Sequence, residues 1–408
     1  MLEPKSVSFS CTVKEQGFIL LLPPGCCVIN PKTTSFTLSL SQSCICVKIL
    51  GFSMIKYIPF LKFKQNEIQG VAQLDSGIRS QITPLYDVPR SQNIMTEIEI
   101  LKRIRLASVE LKKSKDADSE YWFFVDNLDI DESINLAGSF QYRYILDALK
   151  EHRLMPVVAL DRSPDHNSAA FDFIRIKPGT LGVRLQETDI ESYGITKPRL
   201  NLLWNNIQAA QPAGIVLLID LRIVDDHADS KRKVERFLSR FKLDFQVDAT
   251  AVSGSVIPGN IATLIGTDVK KHVVREEYRL WRTLTSSPDY QNVLYGDYGV
   301  VSPEYSDLDL NPELLSGVST PKVFYTHSDQ FYISRGRRFK THGYQQYFTI
   351  SDDIVRQAFY RGAAYSYGDN YIHERSYLAA RRPPKGGSPS TWIKSLTAAH
   401  ITFIVNNI

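Results

Sequence analysis

Between residues 57 and 297 of this 408-residue chain, short apolar runs alternate with longer stretches in which apolar positions recur every three or four residues. The first pattern reads as buried strands and the second as amphipathic helices. Strands are predicted at Tyr57–Lys62, Ile82–Asp87, Tyr121–Asp126, Pro156–Asp161, Gly182–Gln186, Gly214–Asp220, Asp244–Asp248 and Val293–Asp297. Helices are predicted over Asn66–Leu74, Glu97–Lys113, Phe140–His152, Arg199–Ala209, Lys231–Phe241 and His272–Leu284.

Eight such alternations predict an α/β fold, a (β/α)8 TIM-like barrel over residues 54–300. The strands are nearly continuous apolar runs, as when both faces are covered. An open doubly wound sheet would share the local pattern, but no glycine-rich phosphate turn follows the first strand. After residue 300 the rhythm changes, and residues 301–408 read as a decoration packed on the barrel. Lys322–Phe348 resembles β-hairpin material, and Ser351–Tyr365 a helix with Ser351 as its N-cap. Trp392–Ala399 reads as a short helix and Ile401–Val405 as a final strand.

Composition changes this picture at one end. All five cysteines precede Met54, and residues 1–53 hold four Lys, two Glu, no Arg and no Asp. An export signal, a small disulfide or metal module, and upstream sequence read in frame ahead of a start at Met54 are the three readings. The apolar run Phe18–Leu22 is short and lacks a basic lead, and Cys44-Ile45-Cys46 lacks zinc spacing, so the third is favoured. The rest of the chain is nearly neutral at +2 and free of cysteine. That fits a cytoplasmic protein. No run of 18 apolar residues is present, so no membrane partner is expected.

The candidate chemistry lies where the strands end. Lys62 or Lys64, Asp87, Asp126, Asp161, Arg184, Asp220, Asp248 and Asp297 would converge on one mouth, where barrel enzymes place their sites. Asp126, Asp161, Asp220 and Asp248 form the candidate acid/base group, or a set of oxygen ligands for Mg2+. Lys64, Arg184 and Arg222 are candidates to hold a phosphate or carboxylate, and Lys64 also reads, more weakly, as a Schiff-base lysine. Asp after a strand is also a common turn or helix cap, so each residue alone has that plainer reading.

Two further segments carry charge. Tyr332–Tyr344 interleaves Arg335, Arg337, Arg338, Lys340 and His342 with aromatics, which suits phosphates and bases. The plainer reading is a solvated hairpin. Gly386-Gly387-Ser388, with Trp392, Lys394 and His400 beyond, offers backbone N–H groups to an anion or is a simple connector. The histidines show no metal spacing.

Tyr57, Pro59, Leu61, Lys62, Lys64 and Glu67, then Pro84-Leu85, then Tyr367-Gly368-Asp369, Gly387-Ser388, Trp392 and His400, give the chain a resemblance to the beta protein family. The resemblance spans about 54–408. It departs from the family pattern at Asp87, where Glu is usual, at Lys394, a displaced basic residue, and at Ala399, where a second histidine precedes His400. It implies a phage, prophage or mobile-element setting, with phage–host conflict among the contexts, and no established reaction.

Two functions follow. One is an enzyme, hydrolase-like, acting on a phosphorylated or nucleotide-like ligand at the mouth, with Arg335–His342 as its lid. The other is a non-catalytic module that binds nucleic acid or a host protein through the basic segment.

Overall fold

The computed structural model describes residues 54–90, 96–115, 121–305, 319–379 and 386–408. Residues 1–53, and the readings placed on them, lie outside the described residues, as does most of the Arg381–Ser388 loop. Met54–Ile408 forms one compact unit. In chain order the strands are β1 (Tyr57–Lys62), β2 (Leu85–Asp87), β3 (Phe123–Asp126), β4 (Asn135–Leu136), β5 (Ser139–Phe140), β6 (Leu154–Ala159), β7 (Thr180–Gln186), β8 (Gly214–Ile223), β9 (Ala249–Ser255), β10 (Val269–Val274), β11 (Leu294–Asp297), β12 (Lys322–His327) and β13 (Gln330–Arg335).

Eight of them close a barrel in the order β1-β11-β9-β8-β7-β6-β3-β2, every pair parallel. Phe60, Phe124, Val157, Val216 and Leu218 are buried, and no face of the central strands meets water. This is why their sequence shows runs and not alternation. Helices start where capping chemistry permits. Ser163 precedes Pro164 and accepts the His166 N–H. Asp226 accepts the Ala228 and Asp229 N–H groups ahead of the helix His227–Asp244.

Four predicted elements are corrected. Asp244–Asp248 is not a strand: the preceding helix runs to Asp244, and the seventh barrel strand is β9. Its sequence, Ala-Thr-Ala-Val-Ser-Gly-Ser, is small and polar because it fills the barrel interior, so it gave no apolar run. His272 lies in β10, and the helix begins at Glu276. Ser351 is buried inside the helix Gln346–Val355 and caps nothing. Finally, Ile401–Val405 is no strand but the last turns of one helix, Pro389–Asn407. Every residue from Ser395 to Val405 is buried, so the helix has no polar face and its 3.6-residue period vanishes.

That helix fills the eighth helical position of the barrel. It packs on β1, on β12 and on the first helix, Gln65–Ala72. Close approach is set by Gly70, where an added Cβ would stand 2.9 Å from the Lys394 carbonyl oxygen. On another side, a Cβ on Gly368 would stand 2.0 Å from the Ser395 carbonyl oxygen. A second sheet, in the order β10-β13-β12 and antiparallel throughout, carries its own cluster of buried aromatics.

Candidate functional site

Side chains alternate along a strand, so residues at one level of a barrel either fill its interior or face its helices. The top interior level holds Asp87, Asp126, Arg184 and Asp220, with Tyr298 just past β11. All five are at most 1% exposed. Arg184 sits at the centre. Its Nη1 donates to Asp87 Oδ1 at 2.6 Å and Asp126 Oδ2 at 2.8 Å. Its Nη2 donates to Asp220 Oδ2 at 2.6 Å, Asp87 Oδ2 at 3.2 Å and Tyr298 OH at 3.1 Å. Its Nε donates to Asp220 Oδ2 at 3.1 Å. Every guanidinium nitrogen therefore has an acceptor, and Arg184 floors the mouth with no donor left for a ligand.

The neighbours extend this floor. Arg162 bridges Asp126 and Asp161, each at 2.7 Å. Burial pushes the Asp126 carboxyl up, but Arg162 and Arg184 together outweigh it and hold that carboxyl well below the usual range. At Asp87 burial wins over Arg184 and Lys62, and the carboxyl is raised.

Above the floor lies a second tier. Lys62, buried at the end of β1, places its Nζ 3.1 Å from Asp129 Oδ2. Arg222 lies 3.6 Å from Asp129 Oδ1. The Pro303 carbonyl oxygen accepts from both cations, at 3.4 Å from Lys62 Nζ and 2.6 Å from Arg222 Nη2. Lys62 and Arg90 both stand over the ring of Tyr305, each 4.8 Å from its centroid. Burial opposes ionisation of Asp129, yet Lys62 and Arg222 keep its carboxyl below the ordinary value. Beneath Lys62, Glu67 is buried and accepts the Lys62 N–H at 2.7 Å. Burial pushes its carboxyl up to about 7, despite Lys64 and Lys62.

The predicted residues divide between places. Asp87, Asp126, Arg184 and Asp220 meet at the floor, Asp161 sits half-exposed at its edge, and Arg222 joins the second tier. Asp248 does not join them. It precedes β9, and its carboxylate accepts the Ile215 N–H at 2.7 Å, at the opposite end of the barrel. Lys64 is exposed ahead of the first helix, and Lys62 is the lysine that enters the mouth. Asp297 ends β11 but faces outward. It accepts from Tyr57 OH, from Tyr295 OH at 2.7 Å, from Arg275 at 3.3 Å and from His400 Nε2 at 2.9 Å. His400 Nδ1 contacts Thr326 Oγ1 at 2.7 Å, so this buried cluster ties β11, β12 and the last helix together. Trp392 is buried against Tyr347 and donates to the Gly386 carbonyl at 2.9 Å.

The basic segment is partly neutralised. Arg337 pairs with Asp268, and Arg335 donates to the Ile265 carbonyl at 2.7 Å. Arg338, Lys340 and His342 are exposed. Among the described residues, no cluster of three or more His, Cys, Asp or Glu side chains is arranged to hold a metal ion. No described helix is long and apolar enough to cross a membrane.

The pattern passed over Asp129, Arg162, Tyr298, Pro303 and Tyr305. Tyr298 was open to discovery, because it stands at the alternate position to Asp297 beyond a strand end. Asp129 and Pro303 lie on loops, where no period marks direction.

Fold and site together define a parallel eight-stranded barrel with a charge-saturated floor and a cationic tier above it. Residues 57–406 match the family model described as Beta protein, and the chain belongs to that family. No curated protein matches the chain.

Proposed function

We propose that the barrel mouth binds a small anionic ligand bearing a phosphate group, seated between Lys62 and Arg222. The observation that carries this reading is the Pro303 carbonyl, a neutral oxygen held by both cations. A phosphate oxygen in that position would keep both hydrogen bonds and add charge, which roughly doubles the strength of each. Arg90 stands over the Tyr305 ring beside this pair and adds a third cation. The floor does not bind the anion; it fixes the walls.

Hydrolysis is the reaction we attach to this site. Of the three Asp residues predicted for acid–base work that reach the mouth, Asp126, Asp161 and Asp220, Asp161 is the one that keeps contact with solvent, at 33% side-chain exposure. Glu67, with a carboxyl near neutrality, is the better-tuned proton carrier. The nucleic-acid reading loses weight because Arg335 and Arg337 are already paired. A cytoplasmic, phage or prophage setting goes with this proposal.

Thermal unfolding of the full chain with inorganic phosphate, nucleotides and sugar phosphates tests it. A ligand at 100 times its Kd adds about 2.7 kcal/mol of stability. We expect that gain with a phosphate-bearing small molecule, its loss in Arg222→Ala, and its retention in Arg338→Ala. A shift that survives Arg222→Ala, or no shift with any of these ligands, refutes the reading.

A further inference from the structure

Outside the barrel, the β10-β13-β12 sheet carries two histidines whose rings meet. His272 on β10 and His327 at the end of β12 lie 55 residues apart in sequence, and their Nδ1 and Nε2 atoms are 3.0 Å apart. The rings stand nearly perpendicular, at 85°. Neither ring has another hydrogen bond to protein among the described residues.

Aromatic packing fixes both. His327 stacks on Phe359 at 4.1 Å and 11°. His272 stands edge-on to the same ring at 88° and tilts over Tyr332, 5.0 Å away. Tyr332 is itself held by a hydrogen bond to Asp353 at 2.6 Å. His272 is exposed, so one side of the pair is open to water. Burial, reinforced by His272, brings the His327 ring down to a pKa of about 4, so its lone pair is available at neutral pH.

We propose that His272 and His327 chelate a divalent transition-metal ion of the nickel or copper class. A metal–nitrogen distance of about 2.05 Å turns a separation of 3.0 Å into an angle of about 94° at the metal. That is the angle between adjacent positions of a square-planar or octahedral ion, and a tetrahedral ion would need about 3.3 Å. Neutral imidazoles suit these ions, and the Irving–Williams order places nickel and copper at its upper end. Water completes the coordination on the exposed side.

The probe is Ni2+ alone, titrated calorimetrically into the full chain after alkylation of its cysteines, all of which precede Met54. We expect one saturable site that weakens at least tenfold in His272→Ala and in His327→Ala and is unchanged in His342→Ala, which removes another exposed histidine. Thermal midpoints of the variants show whether they fold, and His327→Asn serves if His327→Ala does not. Equal Ni2+ affinity in wild type and His272→Ala overturns the site. Zn2+ binding more tightly than Ni2+ overturns the chelate geometry.

Discussion

Arg184 holds three carboxylates apart from one another inside the barrel, and each of them depends on it. Removing one partner of a buried ion network leaves uncompensated charge and costs about 3–5 kcal/mol. Arg184→Met should lower the unfolding free energy by that amount at neutral pH, read from denaturant titration. The penalty should shrink at pH 4, where carboxylates deprived of Arg184 take up protons. An equal penalty at both pH values would show that Asp87, Asp126 and Asp220 are not what Arg184 stabilises. Arg184→Lys should restore little, because one ammonium cannot reach acceptors in the three directions that a guanidinium spans.

Among the elements, the helix Pro389–Asn407 is the most constrained. Its neighbours approach through glycine on two sides, so Gly70→Ala places a methyl against the Lys394 carbonyl oxygen. Overpacking of that kind costs about 1–3 kcal/mol, and Gly368→Ala should cost more, given the shorter distance. Trp392→Ala, which empties a fully buried indole site, should cost about 3–5 kcal/mol. Chemical denaturation followed by intrinsic fluorescence checks all three; unchanged midpoints would mean that the helix is not a wall of the barrel. The same helix shows what the sequence could and could not reveal. Barrel strands such as Tyr57–Lys62 were legible because apolar runs bounded by polar residues have one simple explanation. A helix buried all round loses its period, and Ile401-Thr402-Phe403-Ile404-Val405 imitates a strand. β9 failed for the opposite reason, since small polar residues line the barrel there. For the site, Asp87, Asp126, Arg184 and Asp220 were legible as strand ends, but their mutual saturation was not, because pairing across the barrel has no sequence signature.

For the molecule as a whole, buried ionisable groups pull stability in opposite directions with pH. Glu67 and Glu277 are raised to about 7 from an ordinary 4.5, chiefly by burial. Folded protein keeps their protons where unfolded chain has released them, so their contribution is full below 4.5 and is lost as pH rises through 7. His166 is lowered by burial to about 4 from an ordinary 6.5, and His400 moves the same way. Unfolded chain binds protons that these folded rings refuse, so their contribution is full above 6.5 and is lost as pH falls. Between 4.5 and 6.5 His166 thus offsets one of the two carboxyls, and His400 works against the other. We expect a nearly flat stability profile there by denaturant titration. Glu67→Gln should tilt it, with stability rising by about 1.4 kcal/mol for each tenfold fall in proton concentration. A profile that keeps its slope in Glu67→Gln would mean that Glu67 is already ionised in the folded state.

The last helix also sets an order of events during synthesis. It seals β1 and the first helix, yet it leaves the ribosome roughly three hundred residues after them, and contacts so distant in sequence form late and slowly. Until it arrives, Tyr57, Tyr295 and Asp297 face outward without their cover, and the nascent chain carries an open apolar seam. A chaperone that acts on this protein during translation should find that seam, and stalled chains lacking the helix should aggregate where released chains do not.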